Sequence, residues 1–194
     1  MEAFEYVMVL VSIIIGLAIA HVLSAFGAAV QRLRGHEPPI RLEAIYLLWV
    51  VFLFIWIVSF WWWEFKFQDV AAEWTFGLYL FIVGYAICLF AAAVVLVPDG
   101  MAGVEDSFEY LVSGRRWIFG LLLLATAFDV ADTFLKGADW GLRPVYMVQT
   151  AVIVGACVVA LSSTRRRWHL PAAVAAFGVQ FIYMFLEVGI LGGW

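Results

Sequence analysis

Charge is what this chain has least of. Lys, Arg, Asp and Glu make up 13% of its 194 residues, and 66% are hydrophobic. Soluble domains average about 25% charged and about 45–50% apolar. A soluble fold would need a far larger core than 194 residues provide to bury such a composition. The net charge is −4, and no basic face exists outside short connections, so nucleic acid is excluded as a partner. Cysteine is almost missing. Cys88 and Cys157 sit singly in apolar runs, which argues against a disulfide and reads as small buried hydrophobes. No Cys or His pair has metal-ligand spacing, so neither a metal nor a cofactor is expected. Haem needs axial ligands at matched depth, and His21 reads as much deeper than His36 or His169. Ser12, Ser24 and Ser59 have no patterned base nearby, so no enzyme is expected either.

What is present is a series of long apolar runs. A bilayer core about 30 Å thick takes roughly 20 helical residues to cross. Six stretches qualify: 6–30, 43–63, 74–97, 117–135, 144–162 and 170–191. The expected fold is an all-α integral membrane bundle of about six helices forming one transmembrane domain over 1–194. Pro38, Pro39 and Pro98 fall in connections, and Pro144 and Pro171 fall near helix starts. The start of the chain, Met1-Glu2-Ala3-Phe4-Glu5, is acidic, unlike the basic region of a cleaved signal. Trp61, Trp62, Trp63 and Trp74 bracket the second connection, as rings in a headgroup layer would.

Orientation follows from the basic residues in short loops. Arg32, Arg34, Arg41, Arg115, Arg116, Arg165, Arg166 and Arg167 lie in alternate connections, against only Lys66, Lys136 and Arg143 in the others. The Arg-rich side is expected to face the cytoplasm, with both termini outside.

The halves of the chain resemble each other. Phe4-Glu5-Tyr6-Val7 recurs as Phe108-Glu109-Tyr110-Leu111, and Leu33-Arg34-Gly35 as Leu135-Lys136-Gly137. Halves 1–100 and 101–194 hold three spans each. An odd number inverts the second copy, giving two inverted three-helix repeats, an arrangement common in transporters.

Polar groups inside apolar spans are costly and therefore informative. Asp129, Asp132, Thr126 and Thr133 share one face of the fourth span. Two carboxylates so close in a low dielectric resist joint ionisation, which suits holding a proton or a cation. Gln180, Tyr183 and Glu187 form a stripe on the sixth span, and Gln149 with Thr150 lies in the fifth. Asp129, Asp132, Glu187, Gln149 and Gln180 are expected to meet in one outward-facing cavity. Glu64 reads as an interfacial charge. His21 reads as a buried packing histidine whose titration range also suits a proton relay. The first span carries a ridge of small residues, Ser12, Gly16, Ala20, Ser24 and Ala28, at steps of four. Such a ridge admits another helix, from this chain or from a second copy.

The opening segment, Phe4-Glu5-Tyr6-Val7 through Gly16-Leu17-Ala18-Ile19-Ala20-His21, resembles the start of uncharacterised small bacterial polytopic membrane proteins. The resemblance implies a bacterial inner membrane and carries no activity or site residues. Two readings follow. One is a protein that moves protons or small cations through an acidic cavity. The other is a sensor, scaffold or subunit whose polar groups hold helices together. The expected partners are the lipid bilayer and a second copy of the chain or another membrane subunit.

Overall fold

The computed structural model describes residues 3–35, 40–70 and 74–187. They form α1 (Ala3–Leu33), α2 (Ala44–Glu64), α3 (Phe67–Val70), α4 (Phe76–Leu96), α5 (Ser107–Ser113), α6 (Arg115–Lys136), α7 (Ala138–Gly141), α8 (Pro144–Ser162) and α9 (Arg166–Glu187). A short 3-10 turn, Asp99–Met101, follows α4. Six of these helices, α1, α2, α4, α6, α8 and α9, are long and apolar enough to cross a membrane.

Local chemistry sets the helix ends. The Thr75 hydroxyl accepts from the Leu78 N–H at 3.2 Å and caps α4. Pro144 opens α8, where its missing N–H leaves no helical bond unmade. Pro171 does not open α9. The helix begins at Arg166, so Pro171 lies inside it, contrary to the sequence expectation. The earlier start is supported by Ser163, whose hydroxyl accepts from the Arg165 N–H at 3.1 Å and whose carbonyl is 2.7 Å from His169 Nε2. The proline removes one bond, to the carbonyl of exposed Arg167 in the first turns, where water can replace it.

The six long helices close a ring in the order α1, α4, α6, α8, α9, α2, with α2 also touching α4. Trp49, Phe52, Trp56 and Phe60, spaced three and four apart on α2, fill the interior. Trp49 meets Phe119 edge-on at 4.9 Å, and Phe60 meets Tyr85 at 4.8 Å. Such pairs contribute about 0.5–1.5 kcal/mol each beyond area burial. Small residues, Ala156 and Ala160 on α8 and Ala172, Ala173 and Ala176 on α9, are buried and let these two helices lie close. Large apolar side chains, among them Ile13, Leu17, Ile87, Leu124, Val148 and Val174, point outward instead. That pattern suits lipid and not water.

The three Arg-rich connections meet at one end of the ring. The Arg41 N–H donates to the Glu105 carbonyl at 2.8 Å, and the Ser107 N–H donates back to the Arg41 carbonyl at 3.1 Å. Glu43 Oε1 is 3.0 Å from Arg41 and 3.1 Å from Arg166. Asp106 caps α5 by accepting from the N–H groups of Phe108 at 2.8 Å and Glu109 at 3.0 Å. The Glu109 and Phe108 amides, with Arg41 and Arg166 nearby, hold the Asp106 carboxyl below the usual carboxylate range.

A shift of 104 residues lays the unbroken α1, residues 3–33, over 107–137, where α5 and α6 run from 107 to 136 with a break at Gly114. Packing within the halves differs. In the first half α1 lies along α4, whereas in the second α6 lies along α8 and α8 along α9.

Candidate functional site

At the end of the ring opposite the Arg-rich connections, α2, α4, α6, α8 and α9 enclose a cavity of about 40 Å³. A site needs about 10–15 Å³ to hold one water, so this one has room for a few. Asp129 lines it, with Thr126 and Thr133 on the same face of α6. Tyr85 of α4 donates to Asp129 Oδ1 at 3.2 Å, and Tyr146 of α8 donates to Oδ2 at 2.9 Å. Trp56 of α2 donates to the Tyr85 hydroxyl at 2.9 Å. One carboxyl group is therefore the junction of a hydrogen-bond chain through four helices.

Gln149 and Gln180 face the same cavity. Gln149 Nε2 donates to Gln180 Oε1 at 2.7 Å, while the buried Gln149 Oε1 has no partner. A buried amide oxygen without a donor is unfavourable by about 1–3 kcal/mol. It can accept from a water or coordinate a cation in the cavity. Of the residues expected to meet, Asp129, Gln149 and Gln180 line this one cavity.

Asp132 is not in the cavity. It packs instead into a buried cluster with Glu64 and Lys136, all three with side chains fully buried. Lys136 Nζ donates to Glu64 Oε1 at 2.9 Å and to Asp132 Oδ2. Rings of Phe67 and Trp63 stand 4.4 Å and 5.4 Å from the same ammonium. This corrects two expectations. Glu64 is not an interfacial charge, and Lys136 is a buried residue of α6 and not part of the connection after it. Lys136 lies in the last turn of α6, one turn beyond Asp132, so its stem folds back along the helix and carries the ammonium inward.

His21 stands at the opposite end of the ring. Its Nε2 is 2.6 Å from the Val97 carbonyl, and its Nδ1 is 3.3 Å from Asp99, whose side chain is 98% exposed. The expectation of a deep histidine near the acids is corrected. α1 has 31 residues, about 46 Å at 1.5 Å each, and overruns its neighbours, so its position 21 lies level with the end of α4. Arg32, farther along, donates to the Met101 carbonyl at 2.6 Å.

Glu187 closes α9, but its side chain lies outside the described residues, as does His36. The ridge Ser12, Gly16, Ala20 and Ser24 is exposed, and Ala28 is partly so. α1 uses Val11, Ile15, Ala18, Val22 and Ala25 against its neighbours instead. Within the chain, Ser12 accepts from Trp61 Nε1 at 3.0 Å, and a methyl added at Gly16 would meet nothing within 4 Å.

Tyr85, Tyr146 and Trp56 were not legible as site residues, because aromatics in an apolar span read first as packing or as an interfacial belt. The spacing of Asp132 and Lys136 was a usable signal for their pairing. No group of three or more His, Cys, Asp or Glu among the described residues has the geometry to hold a metal ion. Compared with known proteins, the chain matches no family model, no curated protein and no solved structure.

Proposed function

We propose that this chain is a multi-pass membrane protein that passes protons or small cations through the Asp129 cavity. The observation that carries the reading is Asp129 itself, an acid among apolar helices that borders a water-sized space and takes donors from Tyr85 and Tyr146. Two hydroxyl donors suit the ionised carboxylate, and exchange with the cavity lets it take up a proton or a monovalent ion. The volume of about 40 Å³ favours protons, water or a stripped ion over any organic solute. The orientation expected from the arginines would open this end outward, in a bacterial inner membrane with both termini outside. An inverted duplication would place the site between related halves, as in many transporters. Its support is the sequence match, Phe4-Glu5-Tyr6-Val7 with Phe108-Glu109-Tyr110-Leu111 above all.

A second reading is favoured by a different observation. The hydrogen bonds among Trp56, Tyr85, Asp129 and Tyr146 link four helices, and Gln149 with Gln180 links α8 to α9. That network would also serve a non-transporting membrane subunit or scaffold, at about 0.6–2 kcal/mol per bond. Purified protein in liposomes loaded with a pH-sensitive dye separates the two. Transport requires the wild-type protein to dissipate an imposed proton or cation gradient, and a scaffold leaves the gradient standing.

A further inference from the structure

We propose that the Asp129 cavity is a binding site for one monovalent alkali cation, held by Asp129, Gln149 and the hydroxyls of Thr126 and Ser59. This deepens the transport reading by naming what its cavity holds, and it rests on that cavity.

Charge sets the valence. Among the described residues Asp129 is the only charged side chain that lines the cavity. Its two oxygens take hydrogen bonds from Tyr85 and Tyr146, both neutral. Lys136, further along α6, is taken up by Glu64 and Asp132. Two donors fill two of the roughly four lone-pair sites of a carboxylate, so lone pairs remain for a further partner. Hydroxyl donors favour the anion, and an anion among apolar helices needs a counter-charge. One positive charge matches it. A divalent ion would leave an excess positive charge in the same place, and an anion would double the negative one.

Hydrogen bonding sets the kind of ligand. The Thr126 hydroxyl donates to the Leu122 carbonyl at 2.8 Å, and the Ser59 hydroxyl donates to the Ile55 carbonyl at 2.7 Å. Each hydroxyl has a single hydrogen, so both offer only lone pairs to a further partner. Gln149 Nε2 is committed to Gln180, and the buried Gln149 Oε1 has no donor. Side chains of α2, α6 and α8 thus line one space with oxygen atoms that can accept. A proton on Asp129 would cancel the charge and leave Gln149 Oε1 unmet. A cation in so small a space meets both needs. Carboxylate, amide and hydroxyl oxygens are hard ligands, which suit an alkali ion and not a thiophilic metal. A volume of about 40 Å³ admits such an ion with at most a few waters.

Thermal unfolding of the purified full-length protein in detergent tests binding with no gradient present. Ionic strength is held constant with choline chloride, which is replaced stepwise by NaCl or by KCl. At least one of the two salts should raise the midpoint in a saturable way. Asp129→Asn keeps the shape, removes the charge and should abolish the rise. Thr126→Val removes one oxygen at nearly the same shape and should weaken the apparent affinity about tenfold or more, as loss of a contact to a charged group does. Should Asp129→Asn fail to fold, Thr126→Val decides the matter. No saturable rise with either salt, or an undiminished rise in either folded variant, would overturn the site. Saturable binding by a protein that leaves every gradient standing would uphold the site and sink transport. Proton flux without cation binding would uphold transport and sink the site.

Discussion

Tyr146 on α8 donates its hydroxyl to Asp129 on α6 at 2.9 Å, across the wall of the cavity. Tyr85 approaches the other carboxyl oxygen from α4. Removing either hydroxyl leaves the ring packing in place and takes away one interhelical bond. Tyr146→Phe should therefore lower stability by about 0.6–2 kcal/mol, the range for such bonds in membranes. Denaturant titration in mixed micelles reads that change, and an unaltered midpoint would show that the bond contributes nothing net.

The buried cluster should respond asymmetrically. Lys136→Met strands two carboxyl groups in the dry interior and should destabilise by about 3–5 kcal/mol, the usual result of removing one partner of a buried pair. Glu64→Gln keeps the shape and a neutral cluster, so its effect should be much smaller. Comparing the unfolding of the two variants checks the ordering, and equal losses would contradict the geometry of the shared ammonium.

The Lys136 cluster also shows where reading the sequence falls short. The six apolar runs were legible because a bilayer imposes one length and one composition on every span. Asp129, Gln149 and Gln180 were legible as a group because their helical spacing put each on one polar face. Asp132 shares that face by angle alone, yet its side chain follows Lys136 one turn later and leaves the cavity. Counting basic residues in loops places Lys136 in a connection, and that count does not anticipate a lysine folding inward at a helix end. His21 differs for a similar reason. Distance along its own helix suggests depth, but α1 has 31 residues and is longer than its neighbours.

At the Arg-rich end, Asp106 should make stability depend on pH. Its carboxyl titrates below the usual range in the folded chain, because the Glu109 and Phe108 amides and two arginines favour the anion. The stabilisation is complete above the unfolded carboxylate range and is lost as pH falls through the lower folded value. Asp106→Ala should remove that acid-side dependence and weaken the α5 cap by about 0.5–2 kcal/mol. Unfolding measured from neutral to acid pH in both proteins checks it, and parallel curves would rule it out.

The exposed ridge on α1 gives a separable expectation. Gly16 is exposed and a Cβ added there meets nothing within 4 Å inside the chain, so the fold of one copy should tolerate Gly16→Leu. A second copy packed on Ser12, Gly16, Ala20 and Ser24 would be displaced, because close approach depends on small residues. Light scattering in detergent should show a wild-type oligomer that dissociates in this variant. An oligomer that persists unchanged, or a wild-type monomer, would mean that the ridge meets only lipid.

Orientation can be read with cysteines introduced at Arg34, Glu105 and Arg165, in the three connections that meet at one end of the ring. All three should be shielded from an impermeant thiol reagent in intact cells and become reactive on lysis. Labelling from outside would invert the orientation.

The most direct test of the central claim measures flux and folding in one preparation. Wild-type and Asp129→Asn proteins are reconstituted side by side in liposomes with a pH-sensitive dye, under proton, sodium and potassium gradients, and their thermal unfolding is recorded. A conducting cavity at Asp129 predicts that the wild-type protein collapses at least one gradient, while the equally folded variant collapses none. Silence of the wild-type protein under all three gradients, or equal flux through the variant, would contradict it.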